Sequence, residues 1–231
     1  MANNPPSKAL RSCGVIRVFF ALLVHFFILP LSSCAGYHVS TERDYVVASW
    51  YGPGFHGNPT SSGELFDMYA YTCAHREYPF GTKLKVTHAE NGRSVYCLVN
   101  DRGPFVSGRD LDLSYAAARE IGLLEPGVSE VTIEFAGRDP SFIRSVTYAA
   151  EAGPLTIQVG SFRERANAQR LKTALALKYS SVHILEVDLT GETYYRVRVG
   201  RALSREDAAS LGETLAEEGY QVLIMRYDER L

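Results

Sequence analysis

Apolar and polar residues alternate over short segments in the first half of the chain, roughly from residue 45 to residue 135. This period of two is typical of half-buried β-strands. The predicted strands are DYVVASWYG (44–52), TKLKVTH (82–88), SVYCLVN (94–100) and EVTIEF (130–135). One short helix is predicted over 114–120, with Ser114 as its N-cap. Short strands separated by glycine-rich turns predict a mainly β fold, a small barrel.

Asn91-Gly92 separates two of these strands and is a strong signal for a tight hairpin. A two-residue loop there would pair Glu90 with Arg93 and, further along, Leu84 with Val99 and Val86 with Cys97. These four apolar side chains then share one face, so the hydrophobic pattern agrees with that register.

The second half of the chain repeats itself with an offset of 40 residues. The matched pairs are Val159/Val199, Gly160/Gly200, Arg165/Arg205, Ala168/Ala208, Leu171/Leu211, Leu175/Leu215, Val182/Val222 and Ile184/Ile224. Each repeat is predicted to be a strand, a helix and a strand, because its first strand alternates with period two and the apolar residues of its helix fall on one stripe. Two such units predict a βαββαβ, ferredoxin-like α+β domain, with a four-stranded antiparallel sheet and both helices on one face. The other face is left open to bind a partner.

The N-terminus combines three basic residues with an apolar run, Val18–Leu29, and the small-residue stretch Leu31-Ser32-Ser33-Cys34. This pattern is typical of a secretory signal peptide over 1–33. A spanning helix needs about 18 or more apolar residues, and this run is shorter. L-S-S-C also resembles a bacterial lipobox, which implies acylation of Cys34 and anchoring of the mature chain in a membrane. An ordinary secreted protein with an incidental Cys34 is the alternative.

Cleavage after residue 33 leaves 198 residues and changes the formal charge from −2 to −5, because three bases and no acid are removed. A mildly acidic chain lacks the basic surface of a nucleic-acid-binding protein, so neutral or sugar-like partners are expected. Cys73 and Cys97 then remain. A disulfide is favoured in an oxidising compartment. A zinc site with His75 and His88, or two buried thiols, are the alternatives.

Three motifs in the second half, QVGSF (158–162), NAQRL (167–171) and YRVRVG (195–200), resemble the SPOR domain family. The resemblance implies binding to peptidoglycan glycan strands that lack stem peptides, and accumulation at the division septum. It places Gln158 and Ser161 on the binding face, with Tyr195 and Arg196 beside them. Hydroxyl and amide groups next to an aromatic ring suit a sugar surface.

The first half is similar to the rare lipoprotein A family. The matching motifs are ASWYG (48–52), FHG (55–57), TSSGE (60–64), TCAH (72–75), GTKLKVT (81–87), NGRSV (91–95), VNDRGPF (99–105) and GRDLDLS (108–114). The resemblance implies a septal lytic transglycosylase that is anchored by lipid in the outer membrane. The mature chain is then expected to face the periplasm. The resemblance divides the chain into a signal peptide (1–33), a tether (34–44), a double-psi β-barrel (45–135), a linker (136–153) and a SPOR domain (154–231).

The same resemblance assigns catalysis to Asp101, Glu64 and His75. A lytic transglycosylase can use one carboxyl group that first donates and then recovers a proton, since the C6 hydroxyl of the substrate replaces water. Asp101 is expected to be that group, with Glu64 facing it and His75 orienting the site. Asp110 and Asp112 are expected to shape the following bend and cap the helix, and Trp50 to be a core residue. No metal or organic cofactor is implied, and division-site proteins are candidate partners. A non-catalytic, peptidoglycan-binding lipoprotein is the alternative.

Overall fold

The computed structural model describes residues 44–227. The predicted signal peptide, Cys34 and tether residues 34–43 lie outside the described residues. The strands are β1 (Asp44–Trp50), β2 (Thr72–His75), β3 (Thr82–His88), β4 (Ser94–Asp101), β5 (Leu111–Leu113), β6 (Val128–Arg138), β7 (Val146–Tyr148), β8 (Leu155–Phe162), β9 (Val182–Leu189), β10 (Glu192–Leu203) and β11 (Val222–Arg226). The helices are α1 (Tyr115–Ile121), α2 (Arg165–Ala176) and α3 (Arg205–Glu217). No helix in this range is long and apolar enough to cross a membrane.

The first six strands form a closed barrel in the order β1-β5-β2-β4-β3-β6, with β6 returning to β1. Two pairs, β1 with β5 and β2 with β4, are parallel, and the others are antiparallel. The predicted small barrel is therefore confirmed. Alternate residues of its strands fill the interior, and Leu84, Val99 and Leu113 are fully buried there.

Helix α1 closes one side of the barrel through three consecutive buried alanines. The hydroxyl oxygen of Ser114 accepts the backbone N–H of Ala117, as predicted for an N-cap. Gly122 ends the helix with φ of 77°, a left-handed conformation that glycine adopts at little cost.

The hairpin between β3 and β4 has a different register from the predicted one. Leu84 pairs with Cys97 and Val86 with Val95, and the loop contains four residues, 89–92. The side chain of Asn91 explains the longer loop: its oxygen accepts the N–H of Arg93, and its amide donates to the carbonyl of Ile121. The shift is two residues, so every side chain keeps its face and the core is unchanged.

The second sheet has five strands in the order β7-β11-β8-β10-β9. Strands β8 to β11 and the two helices confirm the predicted βαββαβ order. The additional strand β7 comes from the stretch 136–153 and runs parallel to β11. Three residues are too few to show alternation, so the sequence pattern does not reveal this strand. Phe142, in the same stretch, is buried.

The barrel and the second sheet belong to one compact unit, Val39–Leu231. Arg102, at the end of β4, is buried and donates from Nε to the hydroxyl of Tyr220 at 2.7 Å. Its guanidinium lies 3.8 Å from the centre of the Phe80 ring. The N–H of Phe80 donates to the carbonyl of Glu218 at 2.9 Å. Gly219 has φ of 94°, and a Cβ there would lie 2.9 Å from that of Phe80, so this contact requires glycine.

Candidate functional site

A cavity of about 330 Å³ opens where β4 ends, within the range of about 300–1,000 Å³ usual for ligand sites. Its polar side chains are Tyr51, Asp101, Arg102, Arg109, Asp112 and Arg170, and Phe55 and Phe105 supply aromatic walls. Charged groups beside aromatic faces are the combination that sugar sites use, since a sugar ring has both hydroxyl edges and C–H faces.

Asp101 lies in this cavity and is only 7% exposed. Its Oδ1 accepts two backbone N–H groups at 2.8 Å, from Ser61 and from Arg102. These bonds hold the carboxyl group in place, and both involve the same oxygen. Within the described range Oδ2 has no hydrogen bond, so this oxygen is available to give or take a proton.

Asp112 is a second carboxyl group in the same cavity, and the sequence interpretation missed it. It does not cap α1, since Ser114 does. Its Oδ1 accepts the hydroxyl of Ser49, and its Oδ2 lies 3.9 Å from Arg109. Burial raises the pKa of Asp112, and the charge of Asp101 raises it further. Because its neighbours Leu111 and Leu113 are buried in the barrel, strand alternation turns Asp112 to the other side. In the sequence, a polar residue between two leucines of a strand was the signal that could have identified Asp112 as a residue outside the barrel core.

Asp110, by contrast, is used structurally. One carboxylate oxygen accepts the backbone N–H of Val47 at 3.1 Å, and the other accepts Arg76 at 2.7 Å. The bend-shaping role predicted for both acids therefore applies to Asp110 alone.

Glu64 does not line the cavity, contrary to the expectation that it faces Asp101. Its side chain is exposed, and Oε2 accepts the amide of Asn100 at 3.0 Å. The loop 60–64 turns back on itself, with the N–H of Thr60 donating to the carbonyl of Glu64. As a result the loop presents the backbone N–H of Ser61, rather than the Glu64 carboxylate, to Asp101.

His75 lies next to Ala74, which lines the cavity. Its Nδ1 accepts the backbone N–H groups of Glu77 and Tyr78 at 3.1 and 3.0 Å. An accepting Nδ1 requires the proton on Nε2 when the ring is neutral. Burial, followed by the charges of Arg102 and Arg76, lowers the pKa of His75 to about 4. His75 is therefore a neutral ring with a fixed tautomer, suited to donate a hydrogen bond from Nε2.

Tyr51 lines the cavity with Asp101, whereas its neighbour Trp50 does not. Tyr51 stacks on Phe66 with ring centroids 4.2 Å apart, and burial, with the charge of Asp101, raises its pKa. Trp50 packs edge-on against Tyr115 and contacts the core, as expected.

A disulfide joins Cys73 on β2 to Cys97 on β4, directly behind the cavity-forming ends of both strands. Sulfur atoms bonded to each other cannot act as thiolate ligands, so the zinc alternative does not apply. Within the described range, no group of three or more His, Cys, Asp or Glu side chains is placed to hold a metal ion.

A second groove, of about 440 Å³, lies on the open face of the second sheet. Gln158 and Ser161 line it, together with Arg144 and Thr147 from the stretch before β8 and Gln221 before β11. The sequence did not indicate these last three, since they depend on the placement of β7. No carboxylate of the described chain lines this groove.

Arg196 pairs across the sheet with Ser161 and therefore shares its face. Tyr195 does not: it pairs with Phe162, a core residue, and its ring lies 5.9 Å below the guanidinium of Arg165 on α2. Strand alternation thus places Tyr195 on the helix-covered face, away from Gln158. Gln158 Oε1 and Arg196 Nε are buried and have no hydrogen-bond partner among the described residues, as expected for groups that await a ligand.

Two family models match the chain in order: lytic transglycolase over residues 44–133 and SPOR domain over residues 151–226. "Endolytic peptidoglycan transglycosylase RlpA" of Helicobacter pylori strain J99 is 35% identical over 186 residues, covering 70% of this chain and 58% of that protein. The protein of the same name in Vibrio cholerae serotype O1 is 54% identical over 87 residues, covering 38% and 33%. "Probable endolytic peptidoglycan transglycosylase RlpA" of Synechocystis is 56% identical over 88 residues, covering 38% and 27%.

Among solved structures, the SPOR domain of RlpA from Pseudomonas aeruginosa aligns with a TM-score of 0.28 and 28% identity, over 31% of this chain and 97% of that chain. This chain spans 27% to 58% of the length of the three curated relatives. The two matched models cover the barrel and the second sheet in the order of the predicted domains. The chain therefore combines a lytic transglycolase domain with a SPOR domain and is similar to the RlpA proteins.

Proposed function

We propose that this protein is an endolytic peptidoglycan lytic transglycosylase, which cuts the MurNAc–GlcNAc bonds of glycan strands that lack stem peptides. The observation that carries the proposal is the cavity around Asp101, where a buried carboxyl group with one unbonded oxygen stands beside a second carboxyl group, Asp112. The relatives' names refer to the same reaction.

The reaction needs a proton at its start. Burial and, to a smaller extent, the charge of Asp101 raise the pKa of Asp112, which favours the presence of one proton in the cavity. In the proposed mechanism Asp101 Oδ2 gives this proton to GlcNAc O4, the oxygen that links MurNAc C1 to GlcNAc C4, and the C1–O4 bond breaks. The C6 hydroxyl of the same MurNAc then bonds to C1 and returns its proton to Asp101. The products are a GlcNAc end and a 1,6-anhydro-MurNAc end, with no water consumed.

Glu64 and His75 are proposed as positioning residues. Glu64 holds Asn100, the residue before Asp101, and His75 offers a neutral Nε2–H next to the cavity wall. The groove with Gln158 and Ser161 is proposed to bind the glycan strand, which then reaches the cavity at raised local concentration. Arg196 belongs to the same surface, whereas Tyr195 supports it from behind.

Acylation of Cys34, with the chain on the periplasmic side of the outer membrane and enriched at the septum, completes the proposal. Its support is the L-S-S-C stretch after an apolar run, and Ala35 in place of the aspartate that marks inner-membrane retention. Division-site proteins are proposed partners because the motifs of the second half resemble SPOR domains, which implies accumulation at the septum. Mass spectrometry of Cys34 peptides from the membrane fraction tests the lipid directly.

Product analysis tests the reaction. A chain that begins at Tyr37 is incubated with peptide-free glycan strands, and the new ends are identified by mass spectrometry. Ends of 1,6-anhydro-MurNAc that disappear in Asp101→Asn support the transglycosylase. Reducing ends would instead mean that Asp112 activates water, as the second carboxylate of a hydrolase does. Binding without products would leave a non-catalytic peptidoglycan-binding lipoprotein.

A further inference from the structure

Arg170 belongs to helix α2 of the SPOR domain but lines the barrel cavity that contains Asp101. Its guanidinium lies 5.2 Å from the centre of the Phe55 ring, on the cavity wall. Its positive charge also acts on Tyr51, whose pKa it lowers against the larger effects of burial and of Asp101. The cavity is therefore built by both domains.

The two domains are held together closely enough to fix this position. Arg102 is buried between the rings of Phe80 and Tyr220, and its Nη1 donates to the carbonyl of Tyr78 at 2.9 Å. The backbone bond from Phe80 to Glu218 adds a second attachment. These contacts hold the second sheet against the barrel, and α2 packs on that sheet through its buried residues, which include Leu171 and Leu175.

The cations of the cavity differ in what they already bind. Arg102 donates hydrogen bonds to the hydroxyl of Tyr220 and to the backbone carbonyls of His75 and Tyr78. Arg109 lies 3.9 Å from Asp112. The hydrogen bond of Arg170 goes to Asn167 Oδ1, a neutral amide on its own helix, and no carboxylate of residues 45–227 pairs with it. Arg170 is thus a cavity cation whose charge no carboxylate of residues 45–227 offsets through an ion pair, and it is available to an anionic ligand.

A peptidoglycan strand offers one anionic group of its own. Each MurNAc carries a lactyl carboxyl group, which is an uncharged amide when a stem peptide is attached and a free carboxylate when the peptide has been removed. A guanidinium forms paired hydrogen bonds with a carboxylate but not with an amide.

We infer that Arg170 binds the lactyl carboxylate of peptide-free MurNAc, so that the SPOR domain supplies the residue by which the barrel selects its substrate. This inference rests on the proposed function for the class of sugar. It goes further by assigning the selection of peptide-free MurNAc to one residue. It also places part of that selection in the cavity and not in the sheet groove.

Binding of a small ligand to the full chain, purified in detergent, tests this inference. GlcNAc-β-1,4-MurNAc has the lactyl carboxylate but lacks the MurNAc–GlcNAc bond that is cut, so it remains intact during the measurement. Its N-methylamide removes the charge. A third ligand, with one L-alanine on the lactyl group, moves the carboxylate outward. Trp50 is the only tryptophan and adjoins Tyr51, so its fluorescence reports binding to the barrel.

The wild-type protein is expected to bind the carboxylate disaccharide roughly tenfold more tightly than its amide, the scale of one ion pair partly open to water. Arg170→Gln should bind both ligands with the affinity of the amide, and Arg170→Lys should keep part of the difference. Arg165→Gln is the matched control, since Arg165 lies on the same helix outside the cavity. It should behave as wild type.

Equal binding of acid and amide by the wild type would overturn the inference. So would an Arg170→Gln variant that keeps the difference, or one that weakens both ligands equally, as a purely structural role would. Tight, Arg170-dependent binding of the alanyl ligand would assign the recognised carboxylate to the peptide and also overturn it. The titration needs no cleavage, so absence of 1,6-anhydro products would refute the proposed reaction alone.

Discussion

Two concave surfaces of this chain are lined by different kinds of polar groups. The barrel cavity contains Asp101, Asp112 and the guanidinium groups of Arg109 and Arg170. The sheet groove contains the amides of Gln158 and Gln221 and hydroxyls such as that of Ser161. Carboxyl groups can move protons, whereas amides and hydroxyls at neutral pH only bind. This difference supports the proposal that the reaction takes place in the cavity and that the groove binds the strand.

The two surfaces are also supported differently. The strands behind the cavity are joined by the Cys73–Cys97 disulfide, and Asp101 is fixed by two backbone N–H groups. Buried polar atoms without a hydrogen-bond partner among the described residues occur at both surfaces, at Gln158 Oε1 in the groove and at Arg109 Nε in the cavity. Fixed groups favour catalysis because they need not reorganise, and unpartnered groups favour ligand binding.

The largest expected effect separates the two surfaces by activity. Asp101→Asn should lower the rate of glycan cleavage by about 10²- to 10⁴-fold, because the amide cannot donate or recover the proton. Binding of peptide-free strands should stay within twofold, roughly, since the groove is untouched. The rate is measured from 1,6-anhydro ends and binding by co-sedimentation. Asp188→Asn on β9, where the carboxylate binds only Thr193, is the matched control. Loss of strand binding in Asp101→Asn would contradict the separation of cleavage in the cavity from binding in the groove.

Loss of the disulfide should weaken the cavity side first. Joining residues 24 apart in sequence restricts the unfolded chain, which by the loop-entropy relation contributes about 3.5 kcal/mol to the free energy of unfolding. Urea unfolding of Cys73→Ala/Cys97→Ala, and of wild type after thiol reduction, measures this loss. Reduction keeps both sulfur atoms in the chain and so controls for their deletion in the double variant. Binding of glycan strands at low urea should persist. Equal loss of binding and cleavage would contradict the inference that different contacts stabilise the cavity and the groove.

The titration of His75 should make barrel stability depend on pH. The folded pKa of about 4 lies below the ordinary value of 6.5, so the unfolded chain binds the proton first as pH falls. The contribution of neutral His75 is therefore complete above pH 6.5 and is lost as pH falls toward 4, by about 3 kcal/mol at most. Urea unfolding at pH 4.5 and 7 should show a smaller difference for His75→Gln than for wild type.

His183 on β9 provides the corresponding measurement in the SPOR domain. Burial lowers its pKa as well, but its side chain is more open than that of His75. His183→Gln should therefore change the pH dependence less than His75→Gln does. The opposite ranking would show that the more strongly desolvated histidine lies outside the barrel.

The smallest expected effect concerns the groove. Gln158→Ala should weaken strand binding by about 1 kcal/mol, or roughly fivefold, the net contribution of one hydrogen bond. The maximal cleavage rate at saturating glycan should not change, because the cavity keeps its groups. Tyr195→Phe, on the other face of the same sheet, should leave both quantities unchanged. A fall in the saturated rate for Gln158→Ala would mean that the groove takes part in catalysis.

Much of the local structure follows from sequence patterns. Strand alternation identified β1, β3, β4 and β6, the Ser114 cap located the start of α1, and the 40-residue repeat predicted the βαββαβ order. Family motifs singled out Asp101, Gln158 and Ser161, and the structure places each in a cavity or groove. The hairpin register was wrong by two residues, because an Asn91 bond to a distant carbonyl lengthens the loop.

The sequence by itself determined which segments become strands and helices, because periods of two and of about 3.6 depend only on neighbouring residues. It also determined which side chains can exchange a proton. Only the tertiary structure decided which of them meet. Barrel closure brings Asp112 beside Asp101 and leaves Glu64 at Asn100, and domain docking carries Arg170 into the same cavity. Contacts between residues 11 to 69 positions apart depend on strand order and packing, which no local pattern encodes.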